Sequence, residues 1–327
     1  MASLDIVTSN PSPIKHLFKF LKSFISEINI EFGSEENKTY LKIAELNAEK
    51  TIYVNVKLNG NNFEKFQCQQ DKMIVGINTH NFNQMFNHID KDSILKLSHY
   101  SHKPTFLEVK MQNQSQQSIF NVKLIDLPKN NIIMPQVMFT TIITLQSKHF
   151  YQMCHMFQTD YIKITCYPNK VVFSSVNDNM LFVCNLSGSE QTKINYSENT
   201  DAPTFVSGIF EVKHLKHISN NMTLCNDVEL YMKNDFPLTI KYNVGSLGRM
   251  FIMLTPVINP QNDNDNDDIN MQLNDLNINV DEDNIIKQMF NMNINVDKKQ
   301  QNTQTENDYF VFNITIYTFL IYIISFI

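Results

Sequence analysis

Apolar residues recur at helical spacing in four separate segments of the chain. In the first segment, Ile14, Leu17 and Leu21 mark one apolar arc of the kind that a helix buries against a sheet. The four predicted helices cover residues 14–28, 80–89, 147–158 and 210–219. The second pair follows the first at offsets of 133 and 130 residues, counted between the helix starts. This agreement indicates that one structural unit is present twice.

Short segments with alternating apolar and polar residues separate the helices and predict antiparallel strands. Asn59-Gly60 supplies a hairpin turn in the first half, and Pro168-Asn169 supplies one in the second. After the second helix of each half comes a strand, a polar turn containing Pro104 or Pro237, and another strand. We therefore predict an α+β fold in which each half combines antiparallel sheets with two helices.

An extended segment lies between the two halves. It contains Pro128 and Pro135, and each proline biases the residue before it away from the helical conformation. We predict an N-terminal domain at residues 1–126, a connecting loop at residues 127–137 and a C-terminal domain at residues 138–258.

The composition changes after residue 258. Residues 259–308 are rich in Asn and Asp and low in apolar side chains, which predicts a disordered acidic linker. Residues 309–327 form a charge-free apolar run of 19 residues, close to the roughly 20 that a helix needs to span a bilayer. Three interpretations of this run stay open: a membrane anchor, a surface that packs on a partner, or an extension without function.

Charge is distributed unevenly along the chain. The whole chain carries −6, and residues 258–327 carry eleven acidic residues against three lysines, a net of −8, so residues 1–257 carry +2. Lys15, Lys19 and Lys22 follow one side of the first predicted helix. The simplest interpretation is a solvated helix face, and the alternative is a surface that faces an anionic partner.

The residues that could support catalysis do not form a convincing group. The five cysteines include no CxxC pair, which favours a reducing compartment over a disulfide framework or a zinc site. The sequence from Gly245 to Gly248 lacks the spacing and the lysine of a phosphate-binding loop. Cys154 lies on the apolar side of its helix, whereas His149 and His155 do not. The sequence predicts no catalytic residue, metal or cofactor, and an enzyme is the least favoured alternative.

Several local strings follow one another in an order and spacing that resemble a known family. They are Ile14-Lys-His-Leu-Phe-Lys-Phe-Leu-Lys, Phe63-Glu-Lys-Phe-Gln-Cys, Lys123-Leu-Ile-Asp-Leu, Phe236-Pro-Leu and Leu254-Thr-Pro. Together they resemble the eukaryotic-type DNA sliding clamp, the proliferating cell nuclear antigen family, over residues 14–258. The resemblance implies a two-domain DNA-clamp fold, with helices on the inner face of a ring of three chains.

The resemblance also implies that the chain is a DNA polymerase processivity factor that encircles double-stranded DNA without reading its sequence. The residues implied to face DNA are Lys15, His16, Lys19, Lys22, Lys213, Lys216 and His217. The second and third helices depart from the family pattern. Residues that are not lysine or arginine stand where one of those is usual: Gln84, Asn87, Gln152 and His155, with Asn220 replacing another after the fourth helix. We therefore expect a less positive channel than is usual in this family.

Partner proteins are implied to dock on the outer face, beneath the connecting loop. The implied partners are a DNA polymerase, a clamp loader and other proteins that carry clamp-binding peptides, short segments that insert a small aliphatic residue and an aromatic pair. The implied pocket residues are Leu46, Tyr53, Ile132, Met134, Pro135, Pro237, Met253, Leu254 and Pro256. Subunits of a homotrimer should meet at sheet edges near residues 118–122 and 179–184.

Two alternatives to a clamp that works on DNA stay open. One is a clamp paralogue that no longer acts on DNA, and the other is a scaffold protein attached to a membrane by residues 309–327. A working clamp should be found in the nucleus or at a cytoplasmic replication site.

Overall fold

The two halves of the chain fold in the same order. The computed structural model describes residues 2–35, 38–86, 89–90, 92–128, 137–177, 180–197 and 203–257. Within these ranges the first half contains β1 (Ala2–Thr8), α1 (Ser12–Leu21), β2 (Glu27–Glu35), β3 (Lys38–Leu46), β4 (Ile52–Asn59), β5 (Lys65–Cys68), β6 (Lys72–Asn78), α2 (Thr79–Phe86), β7 (Ile94–Tyr100), β8 (Phe106–Gln112) and β9 (Gln117–Lys123).

The second half contains the same elements in the same sequence. They are β10 (Thr141–Gln146), α3 (Ser147–Met156), β11 (Tyr161–Cys166), β12 (Lys170–Asn177), β13 (Met180–Ser187), β14 (Thr192–Tyr196), β15 (Val206–Glu211), α4 (Val212–Ser219), β16 (Asp227–Met232), β17 (Leu238–Val244) and β18 (Gly248–Leu254). The described part of each half thus has nine strands and two helices, and the predicted duplication is confirmed.

The strands form three antiparallel sheets that follow from one repeated pattern. The first half supplies a five-stranded set, β5-β1-β7-β8-β9, and a four-stranded set, β4-β3-β2-β6. The second half supplies a five-stranded set, β14-β10-β16-β17-β18, and a four-stranded set, β13-β12-β11-β15. The second half's five-stranded set joins the first half's four-stranded set, because β18 pairs with β4. The result is a nine-stranded sheet that contains strands from both halves.

Two helices lie on the same face of this nine-stranded sheet. The hydroxyl of Tyr242 on β17 donates a hydrogen bond to the Ile218 carbonyl of α4 at 3.2 Å. Gly245, just beyond β17, lies against Pro13 of α1, where an added Cβ would come within 2.6 Å of the proline Cγ. We call this the helix-covered face and the opposite side the open face.

Aromatic contacts connect the helices to one another. The ring of Phe18 on α1 lies 4.5 Å from that of Phe82 and 5.6 Å from that of Phe86, both on α2. Phe24, just after α1, meets His217 of α4 at a ring distance of 5.7 Å. Helices α3 and α4 also contact each other. The four helices therefore form one continuous layer in the order α2, α1, α4, α3.

Several helix boundaries differ from the prediction, and two of these differences have a local cause. Helix α1 ends at Leu21 rather than residue 28, because the chain turns at Ser23, whose hydroxyl donates to the Phe20 carbonyl at 2.6 Å. Helix α4 begins at Val212 rather than residue 210, because β15 continues to Glu211, which pairs with Tyr161 of β11.

The structure does not test the other predictions about chain organisation. The domain boundaries at residues 126 and 138 are untested, because residues Met1–Ile258 form one compact unit. The predicted linker at 259–308 and the apolar run at 309–327 lie outside the described residues. In the described ranges, no helix has both the length and the apolar character that crossing a bilayer requires.

The pairing of β4 with β18 leaves no room for a side chain at one position. A Cβ on Gly248 would lie 2.2 Å from the Lys57 carbonyl oxygen and 2.7 Å from the Leu58 Cα, both backbone atoms of β4. Relief of that clash requires the two strands to separate.

We predict that Gly248→Ala lowers the free energy of unfolding by about 1–3 kcal/mol, the range for inserting a methyl group where none fits. Urea unfolding monitored by circular dichroism measures the change. Gly188→Ala is the matched control, because a Cβ at Gly188 meets no atom within 4 Å. Its effect should stay within about 0.5 kcal/mol. Equal stability of the two variants would contradict a tight β4–β18 joint.

Candidate nucleic-acid interface and partner-docking region

Helix α1 carries the predicted cations that are freest to meet an anion. Lys19 and Lys22 are exposed, whereas Lys15 is half-buried and donates from Nζ to the Ile89 carbonyl at 3.1 Å. His16 is also half-buried. Its pKa is lowered by burial and then by the nearby charges of Lys19 and Lys15, so His16 is protonated only below its usual range. Two exposed lysines therefore provide most of the available charge on α1.

Helix α4 carries cations that are partly neutralised by carboxylates. Lys213 Nζ lies 2.8 Å from a carboxylate oxygen of Glu211 and 3.9 Å from one of Glu49. The hydrogen bond that Lys213 donates to the Glu211 carboxylate is the main reason that the pKa of Lys213 is raised. Both partners were missed by the sequence prediction. Glu211 could have been noticed two residues before Lys213, but Glu49 comes from the β3–β4 turn of the other half.

The rest of α4 adds modest positive charge. His214 is buried, with Nε2 3.3 Å from the Thr51 hydroxyl oxygen, and burial lowers its pKa. Lys216 is half-buried and His217 is exposed. His217 also contacts Phe24, so the predicted DNA-facing residues of α1 and α4 lie on adjoining helices.

Apart from Lys148, which is exposed on α3, helices α2 and α3 present polar side chains, and Asn87 lies outside the described residues. Gln84 and Gln152 are exposed. His155 is half-buried, and its Nδ1 lies 2.9 Å from the Tyr151 carbonyl oxygen. The layer of four helices is therefore only weakly positive, with two exposed lysines at α1 and one, Lys148, on α3.

Three of the predicted docking residues lie side by side on the open face. Leu46 on β3 lies opposite Tyr53 on β4, and Tyr53 lies opposite Met253 on β18. We call these three residues the docking row. Tyr53 and Met253 are buried, and burial raises the pKa of Tyr53 to about 12. Leu46 is partly exposed and marks the accessible side of the row.

The other predicted docking residues occupy different positions. Pro237 and Pro256 are partly exposed next to the docking row. Thr255, before Pro256, is fixed by a hydrogen bond from its backbone N–H to the Thr51 carbonyl at 3.0 Å. Leu254 belongs to the hydrophobic core. The connecting-loop residues lie outside the described residues: Ile132, Met134 and Pro135.

The described residues provide little for catalysis. Burial raises the pKa of the Cys154 and Cys166 thiols to about 12, far from the range of a reactive cysteine. Among these residues, no group of three or more His, Cys, Asp or Glu side chains could hold a metal ion.

Two repeated units that share a sheet, with a layer of helices on one face, define the DNA-clamp class of fold. Comparison with known families assigns the chain within that class. The N-terminal domain model of the proliferating cell nuclear antigen family matches residues 4–131, and the C-terminal domain model matches residues 133–257. The chain therefore belongs to the proliferating cell nuclear antigen family. The predicted sliding-clamp fold and function are confirmed, and sliding clamps of this family are non-enzymatic scaffolds.

Individual relatives agree with the family assignment. The "Probable DNA polymerase sliding clamp 1" of Paramecium bursaria Chlorella virus 1 is 26% identical over 261 residues, which cover 77% of this chain and 96% of the relative. The "Probable DNA polymerase sliding clamp" of Acanthamoeba polyphaga mimivirus is also 26% identical, over 234 residues that cover 68% of this chain and 48% of that larger protein. The crystal structure of the nuclear antigen from Entamoeba histolytica shares the fold, with a TM-score of 0.70 at 19% identity, over 79% of this chain and 100% of that one.

We predict that Cys154 and Cys166 resist thiol reagents in the native protein at pH 8. A pKa of about 12 leaves roughly one thiolate in 10⁴ at that pH, in addition to the steric protection of burial. Titration with Ellman's reagent, with sites assigned by mass spectrometry, should find both thiols reactive only in urea. The partly exposed Cys68, Cys184 and Cys225 should supply the labelling seen in the native state, and Cys68→Ser should remove only the share assigned to Cys68. Rapid native labelling of Cys154 would contradict the observed packing.

Proposed function

We propose that three copies of this chain close head to tail into a ring around double-stranded DNA and keep a DNA polymerase on its template. Two features support the proposal: the strand edges that the repeated fold leaves unpaired, and the cationic helix α1 beside α4. The viral relatives named as probable DNA polymerase sliding clamps point to the same role.

The strand pairing between the two halves provides the main support for ring closure. Inside the chain, the last strand of one five-stranded set, β18, pairs with the first strand of a four-stranded set, β4. The equivalent strands of the other sets are β9 and β13, and both lie at sheet edges. If β9 of one copy pairs with β13 of the next copy, the contact between chains repeats the β18–β4 pairing within each chain.

This contact would be heterologous, because different surfaces of each copy meet. Such contacts close into rings when the rotation between copies permits it. The two edges carry apolar side chains that a partner would bury, since Ile119 on β9 is 50% exposed and Val183 on β13 is 41% exposed. Unpaired edges of this kind favour association with another strand.

The helix layer would then line the channel and face the phosphates. Lysine–phosphate attraction is independent of base sequence, as sliding along DNA requires. Lys19 and Lys22 supply the strongest attraction, with smaller contributions from Lys15, His16, Lys213, Lys216 and His217. A ring needs only this weak attraction, because its closure around the duplex prevents dissociation.

Partners would dock on the open face around the docking row. A DNA polymerase, a clamp loader and other proteins with clamp-binding peptides would contact Leu46, Pro237 and Pro256 first, since these residues are partly exposed. The connecting loop would complete this region. The ring would act at a nuclear or cytoplasmic replication site, and any membrane association would depend on residues 309–327.

We predict that Ile119→Asp and Val183→Asp each convert the trimer to monomers, because each places a charge at a strand edge that the ring would bury. Analytical ultracentrifugation of the full chain should show the mass fall from three chains to one. Met222→Asp is the matched control, because Met222 is 40% exposed but lies outside both edge strands, and it should leave the trimer intact. A wild-type protein that is monomeric at all concentrations would contradict ring formation.

We predict that Lys19→Gln with Lys22→Gln weakens the salt dependence of binding to a short linear duplex. Each lost phosphate contact should reduce the slope of log affinity against log salt by about 0.9. Fluorescence anisotropy over a salt series measures the slope. Lys213→Gln should have a smaller effect, because Glu211 and Glu49 already neutralise that charge. Glu49→Gln with Glu211→Gln should steepen the slope.

Lys103→Gln with Lys193→Gln is the matched control for the loss of two charges. Both lysines are exposed and lie outside the four helices. The control should retain the wild-type slope. An equal loss of slope in the control and in the α1 variant would show that binding depends on net charge rather than on the helix layer.

A further inference from the structure

Three cations lie directly opposite one another on adjacent strands of the open face. Lys42 on β3 pairs in register with Lys57 on β4, and Lys57 pairs with Arg249 on β18. Neighbouring strands lie about 4.8 Å apart, so the three charges form a short line across the sheet. We call Lys42, Lys57 and Arg249 the cationic row.

The charges in this row are only partly compensated. Like charges directly opposite on neighbouring strands destabilise a sheet. Lys57 Nζ lies 3.0 Å from Glu35, in a pair whose side chains are 43% and 68% exposed. Lys42 lies opposite Glu31, which is already paired with Lys72 at 2.6 Å. Among the residues that the structure describes, no carboxylate lies within ion-pair distance of Arg249, the only arginine in the sequence.

A polar cavity adjoins the cationic row. Its volume is about 710 Å³, and it lies between the ends of β3 and β4 and the β17–β18 turn. Among the described residues of its wall, Lys38, Lys57 and Arg249 contribute positive charge and Glu35 contributes a carboxylate. The side-chain amides of Asn59, Asn62 and Asn243 add hydrogen-bonding groups. These groups suit a ligand with carboxylates and backbone amides.

The same three strands connect the cationic row to the docking row. From Tyr53 to Lys57 on β4 is four residues, or about 13 Å at about 3.3 Å per residue. Ala44, Asn55 and Phe251 occupy the position between the rows and carry no charge. An extended peptide anchored at the docking row would thus reach the cationic row about four residues from its anchor.

We propose that the cationic row binds an acidic segment of the partner proteins whose peptides dock on the open face. The inference rests on the proposed docking function and adds a charge preference to it. A peptide fits better than a nucleic acid, because the helix-covered face lies on the other side of this sheet and the cationic row lies on the same three strands as the docking row. Acidic residues next to the anchor would therefore select the partners that this clamp accepts.

The test compares two fluorescent peptides with the full chain. Both carry a small aliphatic residue and an aromatic pair as the anchor. One continues into a glutamate tract and the other into a glutamine tract, placed about four residues from the anchor on either side. At low salt, the glutamate peptide should bind roughly threefold to tenfold tighter, the range that two or three exposed ion pairs supply.

The combined variant Lys42→Gln, Lys57→Gln, Arg249→Gln should abolish the preference while retaining affinity for the glutamine peptide. The matched control Lys103→Gln, Lys170→Gln, Lys193→Gln loses the same charge elsewhere and should keep the preference. A preference that persists in the cationic-row variant, or is absent from the wild type, would overturn the proposal. Loss of binding by both peptides would instead indicate failure of the docking row.

If neither anchored peptide binds, chemical cross-linking tests whether the cationic row binds an acidic peptide. A glutamate peptide without an anchor, treated with a carbodiimide, should form amide bonds with Lys42 and Lys57 in the wild type. Absence of those products would overturn the proposal. Salt-sensitive binding of a short duplex that is lost in the cationic-row variant, but retained in the Lys19→Gln, Lys22→Gln variant, would identify a nucleic acid as the occupant and also overturn it.

Discussion

The antiparallel pairing of β4 with β18 is the interaction on which the rest of the structure depends. It extends from Gly248 opposite Leu58 to Leu254 opposite Ile52, and it joins residues that are about 200 positions apart in the chain. Because it unites the two halves in one sheet, it places α1 beside α4 and aligns the docking row. The same repeated pattern leaves β9 and β13 at sheet edges, which makes the internal joint a template for assembly.

Strand alternation at this joint separates two surfaces with different roles. On β18, Met250 and Ile252 face the core beneath the helices, whereas Arg249, Phe251 and Met253 face the open side. A slip of one residue would exchange the two sets, burying Arg249 and exposing the core residues. The absence of a side chain at Gly248 permits the close approach of β4, so the alignment of both proposed partner surfaces depends on that contact.

The sequence was sufficient for the features that depend on local pattern. Helical periodicity located all four helices, and the matching offsets revealed the duplication. Interactions between distant segments were not predictable in this way. The pairing of Lys213 with Glu49 requires the β3–β4 turn to lie beside α4, and the line of Lys42, Lys57 and Arg249 exists only after β3, β4 and β18 are in register. Lysine spacing on one helix showed which residues share a face but not which of them a carboxylate would neutralise.

The distribution of positive charge suits a clamp that is retained on DNA by the closed ring rather than by ion pairs with phosphates. An open protein needs enough phosphate contacts to resist dissociation, and each contact makes binding more sensitive to salt. A closed ring leaves a duplex only at its ends or by opening, so the neutral side chains of Gln84 and Gln152 and a paired Lys213 cost it little. Weak attraction also lowers the energy barriers between successive positions along DNA. The open face has no such topological constraint. A partner held there relies on direct contacts alone, so exposed cations contribute more to binding on the open face than they would in the channel.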